Sequence, residues 1–314
     1  MVLTTMRRIA FGCLLALVAC SPEREGDELF APGGVGVLVV DALLVVGEPF
    51  GDIYLSETVA PDEPFSRENA GVDGATVTVE GGGTVLLYLY GGAGPPGRYV
   101  PDSLDEVVLP STTYRFTATL PDGRVMSATT TTPAHIDVSE WVLLDDAGSV
   151  LQTLATFEEA ADTVYYEPEN QLIYPQNILA ARVTDQPTAG YQIGLVSKDV
   201  GSRLLIDADF LDEEDLAEFE RINSSPPLDY EATLRVPWLA IYYEGRYVLR
   251  VVALDRNWFD IVRTDPSLGA GGFGFGGEAG DTSTRPIFHV EGGIGVFGSV
   301  SSDSVGFYVH PPAQ

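Results

Sequence analysis

Val72-Asp73-Gly74-Ala75-Thr76-Val77-Thr78-Val79-Glu80 sets the class of the fold. Ala75, Val77 and Val79 fall on one side and Thr76, Thr78 and Glu80 on the other, the period of two expected of a strand with one buried face. The same alternation extends outward. Tyr114-Arg115-Phe116-Thr117-Ala118-Thr119-Leu120 and residues 125–131 flank Pro121-Asp122-Gly123, whose residues supply the backbone angles of a hairpin turn. Upstream, residues 37–44 are rich in apolar and β-branched side chains, and residues 52–56 alternate. Glycine triplets and Gly94-Pro95-Pro96-Gly97 break the runs. Short strands at this spacing predict a β-sandwich of about 100 residues.

The run Thr129-Thr130-Thr131-Thr132-Pro133 and Ala134 mark a domain boundary. Beyond it strands are predicted at 136–144, 191–197, 204–208, 247–254 and 307–310. Two helices interrupt them. Asp212 reads as the N-cap of the first, with Leu216, Phe219 and Ile222 on one face; the second covers 255–263, with Trp258, Ile261 and Val262 on its apolar side. The fold class is therefore mainly β, with two β-sandwich-like domains. The N-terminal one (35–134) is immunoglobulin- or prealbumin-like, and the C-terminal one (135–314) is β-rich with two short helices.

The N-terminus carries an address. Arg7 and Arg8 precede an apolar stretch over residues 9–19, too short to span a bilayer as a helix. It ends in Leu17-Val18-Ala19-Cys20, which looks like a bacterial lipobox, so 1–19 reads as a lipoprotein signal peptide and Cys20 as the lipidated residue. Residues 20–34, acidic with Pro and Gly, read as a tether. Cys13 departs with the signal and Cys20 carries lipid, so no thiol is left to pair, and stability must come from packed cores.

The 314 residues hold 46 carboxylates against 17 Lys plus Arg, for a formal charge of −29. Loss of Arg7 and Arg8 with the signal takes this from −29 to −31. Such a chain repels nucleic acid and anionic lipid surfaces, so membrane attachment must come from lipid on Cys20. Lys198 is the only lysine. Acidity with so little lysine fits adaptation to salt, and equally a genome that favours arginine codons.

Chemical motifs are sparse. Three segments match G-x-G-x-x-G (Gly92 to Gly97, Gly269 to Gly274, Gly293 to Gly298), but none leads from a strand into a helix as a dinucleotide site requires. Gly292 to Gly298 reads instead as a tight turn or bulge at a sheet edge. Asp207, Asp209 and Glu218 occupy calcium-loop positions, but Leu211 and Asp212 stand where a ligand and the turn glycine belong. His135, His289 and His310 lack metal-ligand spacing, and no nucleophile elbow is present. Trp141, Trp238, Trp258, Tyr165, Tyr166, Tyr242, Tyr243 and Tyr247 read as core and rim, with a ligand platform as the alternative. No catalytic, cofactor or metal residues are assigned, and no cofactor is expected.

The lipobox, the early Leu38-Val39-Val40-Asp41 strand, residues 72–79 followed by Gly97-Arg98-Tyr99, and Gly292-Gly293-Ile294-Gly295-Val296-Phe297-Gly298 occur in an order that resembles the Bacteroidota lipoproteins grouped as domain of unknown function 4249. The resemblance implies an exported lipoprotein associated with a TonB-dependent outer-membrane transporter, and it carries no catalytic residues. The expectation is a non-catalytic binding or interaction module, lipid-anchored at the outer membrane on either face and accessory to uptake. The alternatives are a structural or adhesive envelope protein and, third, a hydrolase of surface polymers.

Overall fold

The computed structural model describes residues 34–60, 63–92, 94–156, 164–174, 177–199, 202–205, 222–236, 240–264 and 286–312. The first half holds β1 (Leu38–Val45), β2 (Ile53–Glu57), β3 (Thr76–Gly81), β4 (Thr84–Tyr90), β5 (Arg98–Pro101), β6 (Thr113–Thr119) and β7 (Val125–Thr131), with a one-turn helix α1 (Arg67–Ala70). Then come β8 (Val138–Leu144), β9 (Val150–Thr153), β10 (Gln171–Ile173), β11 (Ile178–Val183), β12 (Gly190–Ser197), β13 (Ile222–Ser224), β14 (Thr233–Val236) and β15 (Gly245–Leu254). Helix α2 (Arg256–Thr264), β16 (Val290–Glu291) and β17 (Ile294–His310) complete the chain. The molecule is mainly β and builds two sheets.

The larger sheet runs β13-β12-β15-β17-β1-β2-β5-β4-β3-β6-β7-β16, with β10 also on β17; the smaller runs β14-β11-β8-β9. Alternation places the inward residues as the sequence predicts. Val77 and Val79 are buried beside Leu86, Tyr88 and Phe116 in the first core, and Pro121-Asp122-Gly123 turns β6 into β7 with Gly123 at φ 89°. In the second half, Trp141 and Leu143 of β8, with Leu179 and Ala181 of β11, face Ile193, Leu249 and Phe307 of the larger sheet.

Strand β17 is longer than its predicted 307–310 core, because its first half is written in glycine and serine. Residues 294–300 pair in parallel with β1, from Val39↔Ile294 to Val45↔Val300. From Val300 onward the same strand pairs antiparallel with β15, ending at Gly245↔Val309. Phe297 thus belongs to the first core and Val305, Phe307 and Val309 to the second.

The glycine motif explains how this strand enters. The chain pairs with β7 through β16, turns at Gly292 and Gly293, and joins β1 on the opposite edge of the first half. Gly295 has φ 104°, and a Cβ there would sit 2.1 Å from the Val40 carbonyl oxygen. At Gly293 a Cβ would sit 2.5 Å from that of Leu38. No side chain fits where two backbones approach this closely.

Of the predicted helices, the one near Asp212 lies outside the described residues except for Ile222, which pairs with Val196 as the start of β13 and so is strand, not helix; Cys20 and residues 206–208 of a predicted strand also lie outside them. The other is α2. Its apolar side includes buried Ile261 and Val262, and Asp255 accepts the Trp258 amide at 2.8 Å as its N-cap.

Candidate functional site

The junction between the two halves is polar and buried. Thr130, on β7, donates to Asp255 Oδ2 at 2.5 Å, and the Ser299 hydroxyl lies 2.7 Å from that of Thr130. Asn257 Nδ2 donates to the carbonyls of Thr129 and Phe297, both at 2.8 Å, and the Ile136 amide donates to Ser301 at 2.9 Å. The serines of β17 are therefore the small hydrogen-bonding residues that a crowded crossing needs. Asp255 is only 5% exposed. Burial pushes its carboxyl above its ordinary value, while the Thr130 hydroxyl and the Trp258 amide pull it back. Both its oxygens are engaged, so it acts as a cap and tie.

A cleft of about 720 Å³ opens over this junction, with Ser111, Thr131, Thr188 and Arg256 on its walls and Asp255 among its lining. Ser111 has φ 49°, held by its amide donating to the Pro133 carbonyl at 3.1 Å. A strained polar residue in a cleft between two cores is a common setting for ligand contacts. The walls offer hydroxyls and carbonyls, a chemistry suited to hydrogen bonding of a polar ligand.

The predicted site residues scatter. His289 Nε2 lies 2.8 Å from Asp260 Oδ2, and Asp260 Oδ1 accepts Arg263 Nε at 2.8 Å. Burial alone would raise the Asp260 carboxyl, but His289, Arg263 and Arg256 together hold it below its ordinary value. His310 Nε2, at the end of β17, meets Gln171 Oε1 at 2.8 Å. Among the described residues no group of three His, Cys, Asp or Glu is placed to hold a metal. Asp207, Asp209 and Glu218 lie outside the described residues, as do Trp238 and Gly269 to Gly274. The two other glycine motifs lead into β5 and β17, not into helices. Of the aromatics, Trp141, Tyr165, Tyr242, Tyr243 and Tyr247 are buried, Trp258 is half-buried, and Tyr166 is exposed.

Strand β4 is apolar on its outer side as well. Its inward Leu86 and Tyr88 are buried, whereas Val85, Leu87 and Leu89 point outward at 67%, 40% and 51% exposure. Val100 pairs beside Leu89 and Glu80 beside Val85, while the Asp102 amide donates to the Leu87 carbonyl. The result is an open apolar stripe with carboxylates at its rim. The signal lay in the run Val85-Leu86-Leu87-Tyr88-Leu89-Tyr90, which is apolar on both faces where a solvated sandwich strand would alternate.

Among the described residues no helix is long and apolar enough to cross a membrane. No curated protein matches the chain. A family model described as "Domain of unknown function (DUF4249)" matches residues 31–260, which includes the apolar stripe and Thr130, Asp255 and Asn257 of the junction and stops short of Ser299, Ser301 and the closing glycine motif. The chain belongs to this family, DUF4249.

Proposed function

We propose that the protein is an outer-membrane lipoprotein, anchored through Cys20, that serves as a non-catalytic interaction module of a TonB-dependent uptake system. The observation that carries the interaction reading is the outward face of β4. Contiguous exposed side chains such as Val85, Leu87 and Leu89, flanked by Val100, are the kind of patch that marks a protein-binding surface. Glu80 and Asp102 at its rim select a partner that presents basic residues around an apolar centre. The transporter as partner follows from the family resemblance, and the anchor from Leu17-Val18-Ala19-Cys20. Engagement of both Asp255 oxygens favours binding over hydrolysis in the junction cleft.

The test is gentle crosslinking in native membranes followed by pull-down, comparing the natural chain with Leu87→Asp. Recovery of a TonB-dependent barrel by the natural chain, lost in Leu87→Asp at unchanged melting temperature, supports the proposal. Recovery of envelope polymers alone would instead favour a structural or adhesive role. Replacing Cys20 with Ser should move the protein from the membrane to the soluble fraction.

A further inference from the structure

We infer that the face of the larger sheet opposite the second core holds a site for a small anionic amphiphile, with its acyl chain on β1, β15 and β17 and its charged head at Arg250. The geometry is a groove of about 250 Å³ where the sheet passes from one half to the other. Its apolar wall is Leu43, Val45, Val252, Val300 and Trp258.

Two glycines shape it. Gly298 lies under Trp258, where an added Cβ would come 3.1 Å from the tryptophan Cβ, so its absence seats the indole against the sheet at one end. Gly194 pairs directly across from Arg250, and an added Cβ there would come 2.7 Å from the Asn223 carbonyl oxygen, so its absence lets β13 close in on this end of the groove.

Arg250 is the cation of the groove. Among the described residues Arg67, Arg115, Arg203, Arg235 and Arg250 have no carboxylate within 4 Å, and of these five Arg250 alone lines the groove. A guanidinium set beside an apolar groove, with no carboxylate within 4 Å among the described residues, is placed to receive an anion from outside. Its neighbours Gln192 and Asn223 already donate, to the Ser225 and Ala240 carbonyls, which leaves Arg250 as the cationic donor of the groove. At the ~30 Å³ that one water-sized group occupies, the groove of about 250 Å³ takes roughly eight heavy atoms, most of a ten-carbon chain whose last carbons reach the open mouth.

Titration of the full chain by calorimetry with decanoate, decyl phosphate and decyltrimethylammonium tests the site, with Arg250→Ala, Arg250→Lys and Trp258→Phe as variants. Decanoate or decyl phosphate should bind saturably and one to one. Arg250→Ala should weaken binding about tenfold or more, with Arg250→Lys recovering part of it. The ligand-induced change in tryptophan emission should vanish in Trp258→Phe. Preference for decanoate points to free fatty acids as the natural source, and preference for decyl phosphate to phospholipid-like heads. The inference is overturned if neither anion binds, if Arg250→Ala binds as tightly as the natural chain, or if decyltrimethylammonium binds equally well.

Discussion

Replacing Gly295 with alanine tests whether the closing strand is what joins the two edges of the first half. Two costs act there. The backbone sits at φ 104°, outside the comfortable range of an L-residue, and a Cβ would lie 2.1 Å from the Val40 oxygen and 2.9 Å from its nitrogen. The first costs about 1–2 kcal/mol. The second cannot be relieved by a side-chain rotation, because the obstacle is backbone, so β1 and β17 must separate around the Val40↔Gly295 pair. Giving up roughly two backbone hydrogen bonds there adds about 2 kcal/mol. The Gly83→Ala control separates the terms, since Gly83 has φ 86° and nothing within 4 Å of its added Cβ. Both variants gain the same several tenths of a kcal/mol from a stiffer unfolded chain. Urea unfolding followed by circular dichroism should therefore show Gly295→Ala about 2 kcal/mol less stable than Gly83→Ala. Equal midpoints for the two variants would refute the reasoning, because they would mean that the seam has room for a methyl group.

Tyr88→Phe should leave stability unchanged or raise the melting temperature, because the buried Tyr88 hydroxyl has no hydrogen-bond partner among the described residues and burial, with Asp52 nearby, pushes its phenol well above its ordinary value. Asp255→Ala should cost about 2 kcal/mol in urea unfolding through loss of the helix cap and orphaning of Thr130, whereas Asp255→Asn, which keeps a capping oxygen, should cost less than half of that. The Asp260 carboxyl is held below its ordinary value in the folded state, so its contribution is present above the unfolded value of about 3.9 and fades as pH falls through the lower folded value. The gap in melting temperature between the natural chain and Asp260→Asn should accordingly be widest above about pH 5 and close on further acidification. The formal charge of −29 predicts a melting temperature that rises from dilute buffer to molar NaCl; an unchanged value would remove salt adaptation as the reason for the acidity.

Much of the fold was legible where one face of a strand is buried and the other solvated. Residues 72–80, the Pro121-Asp122-Gly123 hairpin, and the helix capped by Asp255 follow local rules that need no knowledge of distant neighbours. The closing strand did not follow such rules. Ser299 and Ser301 are buried because Thr130 and the Ile136 amide, far away in sequence, hydrogen-bond to them, and composition alone reads such serines as loop. The Arg250 groove was hidden for a related reason, because an arginine beside apolar side chains acquires meaning only when its neighbours across the strands are known, whereas the β4 stripe was written in the run 85–90, apolar on both faces.

Sharing β17 between two cores also sets the order of assembly. Chains commonly fold from the N-terminus as they emerge, each finished unit sheltering its own edges. Here the first half cannot do so, because its edge strands β1 and β7 wait for β16 and β17, which emerge after every other described strand. Pairing the two ends of the chain is slow to find, and an open β1 invites pairing with the wrong neighbour in the interval. A newly made chain of this design is exposed to misassembly until β16 and β17 are out. Loss of β17 alone would leave both cores a strand short.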